Sequence, residues 1–169
     1  EDKNLREVSL HAMEFAKKNN IKISIDLADP GIVSRNKQDL RKLVADYADI
    51  VFANEEEAKA FSGKDEKEAL DEISQMSSIA IVKLGKKGSL IKKKDEIVVI
   101  EPIKAASVDT TGAGDMYAAG FLYGLSKGYS LKLCGDIGSY CAAKVVERIG
   151  ARLDKKPNHI ETIEDDNKG

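Results

Sequence analysis

Short runs of β-branched and apolar residues alternate along this chain with longer segments of helical periodicity. The pattern predicts strands at 21–27, 50–53, 79–84, 89–92 and 97–100. It predicts helices at 3–18, 36–47, 54–61, 66–76, 113–127 and 131–148. Alternation of this kind, with short connections, is typical of an α/β protein whose mostly parallel sheet is flanked by helices on both faces. Ligands of such sheets bind beyond the carboxyl ends of the strands, so the residues that follow each strand are the candidates for a site.

Two local predictions concern the first 35 residues. The helix at 3–18 is amphipathic, because its apolar side chains recur at helical spacing: Leu5, Val8, Ala12, Phe15 and Ala16. After the first strand, Asp29-Pro30-Gly31 predicts a turn without regular structure, since proline and glycine interrupt regular elements.

Composition argues against several classes of protein. There are 27 Lys and Arg residues and 29 Asp and Glu residues, a net charge of −2, which disfavours general nucleic-acid binding. No apolar run approaches the roughly 18 residues of a membrane-spanning helix, and no signal peptide is visible, so we expect a cytoplasmic protein. Cys134 and Cys141 are predicted to be buried apolar side chains, about 10 Å apart along a helix and beyond disulfide reach. His11 and His159 stand apart from other metal-binding side chains, and each is expected to be a surface or helix-side residue rather than a metal ligand.

The segment Asp109–Asp115, with the sequence DTTGAGD, is the strongest candidate site. Its two glycines allow the backbone to approach a ligand closely, and a predicted helix begins at once. The first turn of a helix leaves amides unpaired and carries a partial positive charge, which suits a phosphate or a developing oxyanion. The Asp115 carboxylate could accept a proton from an alcohol while these amides hold a transferring phosphoryl group. The alternative is that the glycines only turn the chain and that Asp115 only favours the helix dipole.

DTTGAGD followed by MYAAGFL resembles the C-terminal signature of the PfkB/ribokinase family of carbohydrate and nucleoside kinases. The resemblance implies a ribokinase-like, Rossmann-like fold and transfer of the γ-phosphate of ATP to a hydroxyl of a small sugar or nucleoside. It implies that Asp115 is the catalytic base. It implies an anion hole of three residues: Gly112, Ala113 and Gly114. It also implies that Asp109 and Thr111 help to hold a monovalent cation such as K⁺.

Asn54-Glu55-Glu56-Glu57 follows the second strand and matches the N-x-x-E element of the family. The resemblance implies that Asn54 and Glu57 serve the Mg²⁺ of the nucleotide, with Glu57 acting through water, because Mg²⁺ prefers oxygen ligands and retains several waters. From the residues alone, the same pair predicts a helix start, with Asn54 as N-cap and Glu57 as the third helical position of a capping box. Both roles can hold together.

Lys83–Gly88, with the sequence KLGKKG, joins the end of the third strand to a glycine-framed turn. Basic side chains and flexible backbone suit the phosphates and the adenine edge of a nucleotide, although a solvated basic turn would have the same composition. Related kinases have a similar strand-G-x-x-G loop at the ATP site. The resemblance therefore implies that three residues bind the nucleotide: Lys83, Gly85 and Gly88.

Two further segments have a structural and a functional interpretation. The helix at 131–148 carries an apolar stripe that predicts core packing: Cys134, Ile137, Cys141, Val145 and Ile149. In the family this helix lines the adenine pocket, so the resemblance implies that Ser139 lines it here. Asp26 and Asp29-Pro30 resemble the D-x-x-x-P turn of these kinases, and we expect them to form a turn, with contact to phosphate or Mg²⁺ as the alternative.

The resemblance covers nearly the whole chain but only the C-terminal half to three-fifths of a typical family member. We therefore interpret residues 1–169 as the C-terminal ATP-binding and catalytic portion of a PfkB-type kinase domain, truncated at the N-terminal side and without the small β-sheet lid. Such a chain is expected to bind nucleotide and to lack normal turnover. An uncovered apolar edge and face would invite self-association, for example as a homodimer. The polar tail from Lys155 is expected to fray.

The residues disfavour two other classes of protein. A non-catalytic nucleotide-binding or regulatory relative is disfavoured by the intact Asp115. A dinucleotide-binding oxidoreductase is disfavoured because no G-x-G-x-x-G follows an N-terminal strand. The acceptor stays open, since MYAAGFL and the GARL turn at 150–153 look like bacterial kinases near adenosine kinase, whereas K-L-G-x-x-G leans toward ribose, fructose or ketogluconate kinases.

Overall fold

The structure is a computed structural model of the chain, and it describes residues 3–153. Its helices are α1 (Lys3–Lys18), α2 (Pro30–Arg35), α3 (Lys37–Tyr47), α4 (Glu55–Ser62), α5 (Glu66–Ser74), α6 (Ala113–Ser126) and α7 (Leu131–Val146). Its strands are β1 (Ser24–Asp26), β2 (Ile50–Asn54), β3 (Ile79–Lys83), β4 (Ser89–Lys93) and β5 (Glu96–Ile100). Across residues 3–153, no helix combines the length and the apolar character that crossing a membrane requires.

In the part of the chain that the structure describes, the strands form one mixed sheet in the order β1-β2-β3-β4-β5. β1 and β2 run parallel, with Ile25 opposite Val51. β4 and β5 are joined only by Lys94 and Asp95, a connection that is long enough for antiparallel strands but not for parallel ones. The predicted α/β architecture of a sheet flanked by helices is confirmed.

The described residues divide into two compact units. The first unit runs to Val82 and includes Lys92–Glu96, so that it contains α1–α5, β1, β2 and most of β3. Its largest fully buried side chains include Phe52, Phe61, Leu70 and Ile73. The second unit contains Lys83–Ile91 and the described residues from Ile97 onward, with α6 and α7. Its largest fully buried side chains are Ile91, Ile100, Phe121 and Ile137.

The amphipathic helix predicted at the start of the chain is confirmed as α1. Its apolar face is exposed to solvent, with Leu5, Val8 and Phe15 at 66%, 65% and 64% exposure. His11 lies exposed on the same helix, as predicted. His159 and the tail from Lys155 lie outside the described residues.

The prediction of an irregular turn after β1 is wrong, because α2 begins there. Asp29 is its N-cap, and Oδ1 of Asp29 accepts the N–H of Ile32 at 2.7 Å. Pro30 occupies the first helical position, where the N–H that proline lacks would have had no helical partner. A turn-forming role is confirmed for Asp26 alone, since Oδ1 of Asp26 accepts the N–H of Ala28 at 3.1 Å.

α6 and α7 approach each other through glycines on both helices. A Cβ at Gly120 of α6 would lie 2.9 Å from the carbonyl oxygen of Ile137. A Cβ at Gly138 of α7 would lie 2.9 Å from the carbonyl oxygen of Tyr117. Any side chain at these positions would force the helices apart, so the pair is packed backbone against backbone.

The apolar stripe predicted along α7 is confirmed by four buried side chains: Cys134, Ile137, Cys141 and Val145. It is wrong for Ile149, which is 86% exposed because α7 ends at Val146. Both cysteines are free as well as buried. Burial raises the pKa of the Cys134 thiol to about 11.

We expect Gly88→Ala to destabilise the protein strongly. Gly88 has φ +90°, and a Cβ there would lie 1.9 Å from the carbonyl oxygen of Ile100. The unfavourable backbone conformation and the clash together should lower the free energy of unfolding by about 3 kcal/mol or more, measured by urea denaturation.

Gly85→Ala is the matched control in the same turn. Gly85 also has a positive φ, +54°, but no described atom lies within 4 Å of the Cβ position. The substitution should therefore cost only about 1–2 kcal/mol. If both variants lose the same free energy of unfolding, the predicted clash between a side chain at position 88 and the carbonyl of Ile100 does not contribute to stability.

Candidate functional site

α6 begins without a side-chain cap. Gly112 precedes the helix in the left-handed conformation, with φ 77°, and a Cβ there would lie 2.6 Å from the Cβ of Ala151. Glycine is therefore required on both counts. The first hydrogen bond of the helix runs from the N–H of Met116 to the carbonyl of Gly112 at 2.9 Å. The N–H groups of Gly114 and Asp115 come before that bond, so no carbonyl of the helix accepts a hydrogen bond from them.

The amide of Ala113 is placed differently from its neighbours. Its N–H donates to the carbonyl of Thr110 at 3.2 Å, a long hydrogen bond that closes the turn before α6. A phosphate would have to compete with that carbonyl. The N–H of Asp115 was not among the predicted anion-hole groups, although its place as the third residue of a predicted helix was sufficient to identify it.

Asp115 places a carboxylate at this end of the helix. It is the third residue of α6, where the positive end of the helix dipole favours a negative charge. The residue is exposed, so its side chain is not part of the core. The carboxylate and the open amides thus belong to a single helical turn.

Lys83, the last residue of β3, lies beside the same turn. A Cβ at Gly114 would lie 3.1 Å from Nζ of Lys83, and the lysine is half-buried. The ammonium group adds a full positive charge to the partial charge of the helix end. Residues predicted from two separate motifs are therefore neighbours in the second unit.

Asp109 links the segment before α6 to the turn after α7. Its Oδ1 accepts the N–H of Thr111 and its Oδ2 accepts the N–H of Gly150, each at 2.9 Å. The hydrogen bonds from Gly150 and then from Thr111 lower the pKa of Asp109 to about 2. A monovalent cation here would have to share the carboxylate with two N–H groups, using the remaining lone pairs of its oxygens. Within residues 3–153, no group of three or more His, Cys, Asp or Glu side chains is placed to hold a metal ion.

Asn54 and Glu57 form the predicted capping box in the first unit. Oδ1 of Asn54 accepts the N–H of Glu57 at 2.8 Å. The two carboxylate oxygens of Glu57 accept the backbone N–H and the side-chain amide of Asn54, at 2.8 and 2.7 Å. Glu57 is only 4% exposed. The pair fits Mg²⁺ through an intervening water rather than by direct ligation, because both oxygens are already engaged and nearly buried.

The two glycines of the KLGKKG turn have different surroundings. Gly85 opens a 3₁₀ turn, Gly85–Lys87, and is exposed, so a ligand can approach its backbone. Gly88 is buried, and its carbonyl accepts the N–H of Leu84 at 2.8 Å. Packing against Ile100 is sufficient to explain a glycine at position 88. Ser139, the remaining predicted residue, lies within α7 and is 9% exposed.

Comparisons with known proteins identify the family to which the chain belongs. A model of the pfkB family of carbohydrate kinases matches residues 2–158. A protein from Archaeoglobus fulgidus, named an uncharacterized sugar kinase, is 39% identical over 127 residues, which are 73% of this chain and 50% of that protein. A nucleoside kinase from Methanocaldococcus jannaschii is 38% identical over 127 residues, 73% of this chain and 41% of the relative.

Solved structures give the same result. A probable sugar kinase from Rhizobium etli superimposes with a TM-score of 0.88 at 34% identity, covering 96% of this chain and 50% of the other. Adenosine kinase from Sinorhizobium meliloti superimposes with a TM-score of 0.84 at 32% identity, covering 92% of this chain and 48% of the other. The chain thus spans about half the length of the proteins it resembles. It belongs to the pfkB family of carbohydrate kinases and has the ribokinase-like fold.

We expect Glu57→Gln to destabilise the first unit. A glutamine keeps one acceptor oxygen but turns an NH₂ group toward one of the two donors of Asn54. Losing a buried, charge-assisted hydrogen bond should lower the free energy of unfolding by about 1.5–3 kcal/mol, measured by chemical denaturation.

Glu56→Gln is the control, because Glu56 lies in the same first turn of α4 but is exposed. It loses only the favourable interaction with the helix dipole, about 0.3–1 kcal/mol. If Glu57→Gln lowers the free energy of unfolding by no more than Glu56→Gln does, the capping box contributes little to stability.

Proposed function

We propose that residues 1–169 are the ATP-binding and catalytic portion of a kinase that transfers the γ-phosphate of ATP to a hydroxyl of a small sugar or nucleoside. The observation that carries the proposal is the exposed Asp115 in the first turn of α6, beside backbone amides that precede the first helical hydrogen bond. Membership of a carbohydrate kinase family supports the reaction class. The names of the relatives, which include sugar, nucleoside and adenosine kinases, support the acceptor class.

In the proposed reaction Asp115 accepts the proton of the acceptor hydroxyl. The hydroxyl oxygen then forms a bond to the γ-phosphorus while the bond from that phosphorus to the β,γ-bridging oxygen breaks, and ADP leaves. Charge on the phosphoryl oxygens is stabilised by the backbone amides at 112–115, with those of Gly114 and Asp115 most open. Proton transfer by such a base typically contributes a factor of about 10²–10⁴.

The nucleotide would lie along the end of β3 and the turn that follows. The Lys83 ammonium, adjacent to Gly114, is placed to meet phosphate oxygens, and the exposed backbone of Gly85 can accept a ligand. We assign smaller parts to Gly88 and Ser139, because both are largely buried. Mg²⁺, when bound with ATP, neutralises phosphate charge, and Asn54 with Glu57 would hold it through water.

We further propose that the 169-residue chain binds Mg·ATP but does not turn over by itself. Water exclusion and orientation of the acceptor hydroxyl need parts beyond the phosphate-binding helix. Calorimetric titration of the chain with Mg·ATP tests the first half of this statement. An ATP-consumption assay against a panel of sugars and nucleosides, on the chain and on the complete protein that carries it, tests the second half and the acceptor class.

We expect Asp115→Asn to separate nucleotide binding from transfer. The amide side chain keeps the size of the carboxylate but cannot accept the proton. Transfer by the complete protein should fall by about 10²–10⁴, while the dissociation constant of Mg·ATP for the chain should change by less than about threefold, or under 1 kcal/mol. Transfer is measured by coupled ADP release and binding by calorimetry.

Asp95→Asn serves as the control, since Asp95 is an exposed carboxylate in the turn between β4 and β5. It should leave both quantities unchanged. Undiminished transfer by Asp115→Asn would remove Asp115 as the base. Binding of Mg·ATP by the complete wild-type protein without transfer to any acceptor would identify a regulatory relative of the kinases instead.

A further inference from the structure

The segment before α6 is fastened to the segment after α7 by several contacts. The N–H groups of Val108 and Asp109 both donate to the carbonyl of Val146, at 2.7 and 3.2 Å. Gly112 lies so close to Ala151 that no Cβ fits between them. These contacts use backbone atoms or simple packing, and they are independent of which side chain stands at position 109.

The Asp109 carboxylate is different, because it connects the two segments through its own side chain. One oxygen accepts the N–H of Thr111, which fixes the carboxylate within its own loop. The other accepts the N–H of Gly150, which lies 41 residues further along the chain. Hydrogen bonds to a charged acceptor are roughly twice as strong as those between neutral groups.

We propose that Asp109 is a positioning residue for the phosphoryl-transfer site: its carboxylate locks the loop that leads into α6 onto the turn after α7, and thereby sets the orientation of the amides of Gly114 and Asp115. This inference rests on the proposed function. Its physical basis is that catalytic and binding groups must be held in precise positions, since a displacement of about 1 Å can lower the reaction rate by a factor of about 10². Between Asp109 and Gly114 there is only the short stretch of loop that this side chain restrains.

Asp109→Asn tests the proposal in the 169-residue chain. Asparagine offers one acceptor oxygen in place of two, so one of the N–H groups faces an NH₂ group instead. The backbone contacts to Val146 and Ala151 remain, and the chain should stay folded. We expect the affinity for Mg·ATP, measured by calorimetry in KCl, to fall about tenfold. The amide cross-peaks of Gly150, Gly114 and Asp115 in a ¹H–¹⁵N spectrum should shift.

Asp65→Asn is the matched control. Asp65 is also an aspartate whose Oδ1 accepts a backbone N–H, that of Glu68 at 3.0 Å, but it caps α5 in the first unit. It should leave the affinity within twofold of the wild type. If Asp109→Asn does not fold, Asp109→Glu is used. It keeps the charge but extends the side chain by one methylene, and the same loss of affinity is expected.

Three outcomes would overturn the proposal. The first is an Asp109 variant that binds Mg·ATP as the wild type does. The second concerns the wild type in choline chloride instead of KCl. If its affinity for Mg·ATP then falls to that of the variant, the carboxylate acts by holding a monovalent cation rather than by fastening the loop. The third is an unchanged position of the Gly114 and Asp115 amide peaks in the variant. A wild-type chain that does not bind Mg·ATP refutes the proposed function instead, and the amide spectrum alone then decides the role of Asp109.

Discussion

Backbone amides without helical partners at the start of α6 are the feature on which the candidate site depends. A helix must leave its first amides unpaired, and most of the helices between residues 3 and 153 satisfy one of them with a side chain, as Asn54, Asp65 and Ser130 do. α6 has a glycine at this place and no side-chain cap. The chain therefore gives up a stabilising interaction at the helix end that carries Asp115, and an anionic ligand could supply it.

Glu57 has a structural role in the capping box and a proposed functional role near Mg²⁺. The carboxylate is nearly buried, yet both of its oxygens are satisfied by Asn54, so burial does not leave a polar group unpaired. The same hydrogen bonds fix the orientation of the carboxylate relative to α4. A residue that met Mg²⁺ through water would need such orientation, because an outer-sphere contact has no metal–ligand bond to hold it. The capping box and the proposed metal role are thus compatible consequences of one geometry.

The sequence was informative where a residue type decides the local structure and uninformative where backbone atoms decide it. The capping box, the buried cysteines and the helix that begins within DTTGAGD were predictable, because each depends on side-chain chemistry or periodicity. α2 was missed because Pro30 breaks a helix interior but is favoured in a first turn, and position within the helix cannot be read from composition. The partner of Asp109 was not predictable, since Gly150 contributes only its N–H, which every residue except proline has.

The packing of α6 against α7 explains why the end of a distant helix matters to the site. Glycines on both helices bring their backbones into contact, so neither helix can shift without opening a gap or creating a clash. The residues that hold the loop before α6 directly follow or end α7: the carbonyl of Val146, the N–H of Gly150 and the backbone of Ala151. The first amides of α6 are therefore fixed from two directions, by the helix that follows them and by the turn to which their loop is fastened. A change at the glycine interface would reach those amides through both connections, although the interface glycines lie outside the proposed phosphate-binding turn.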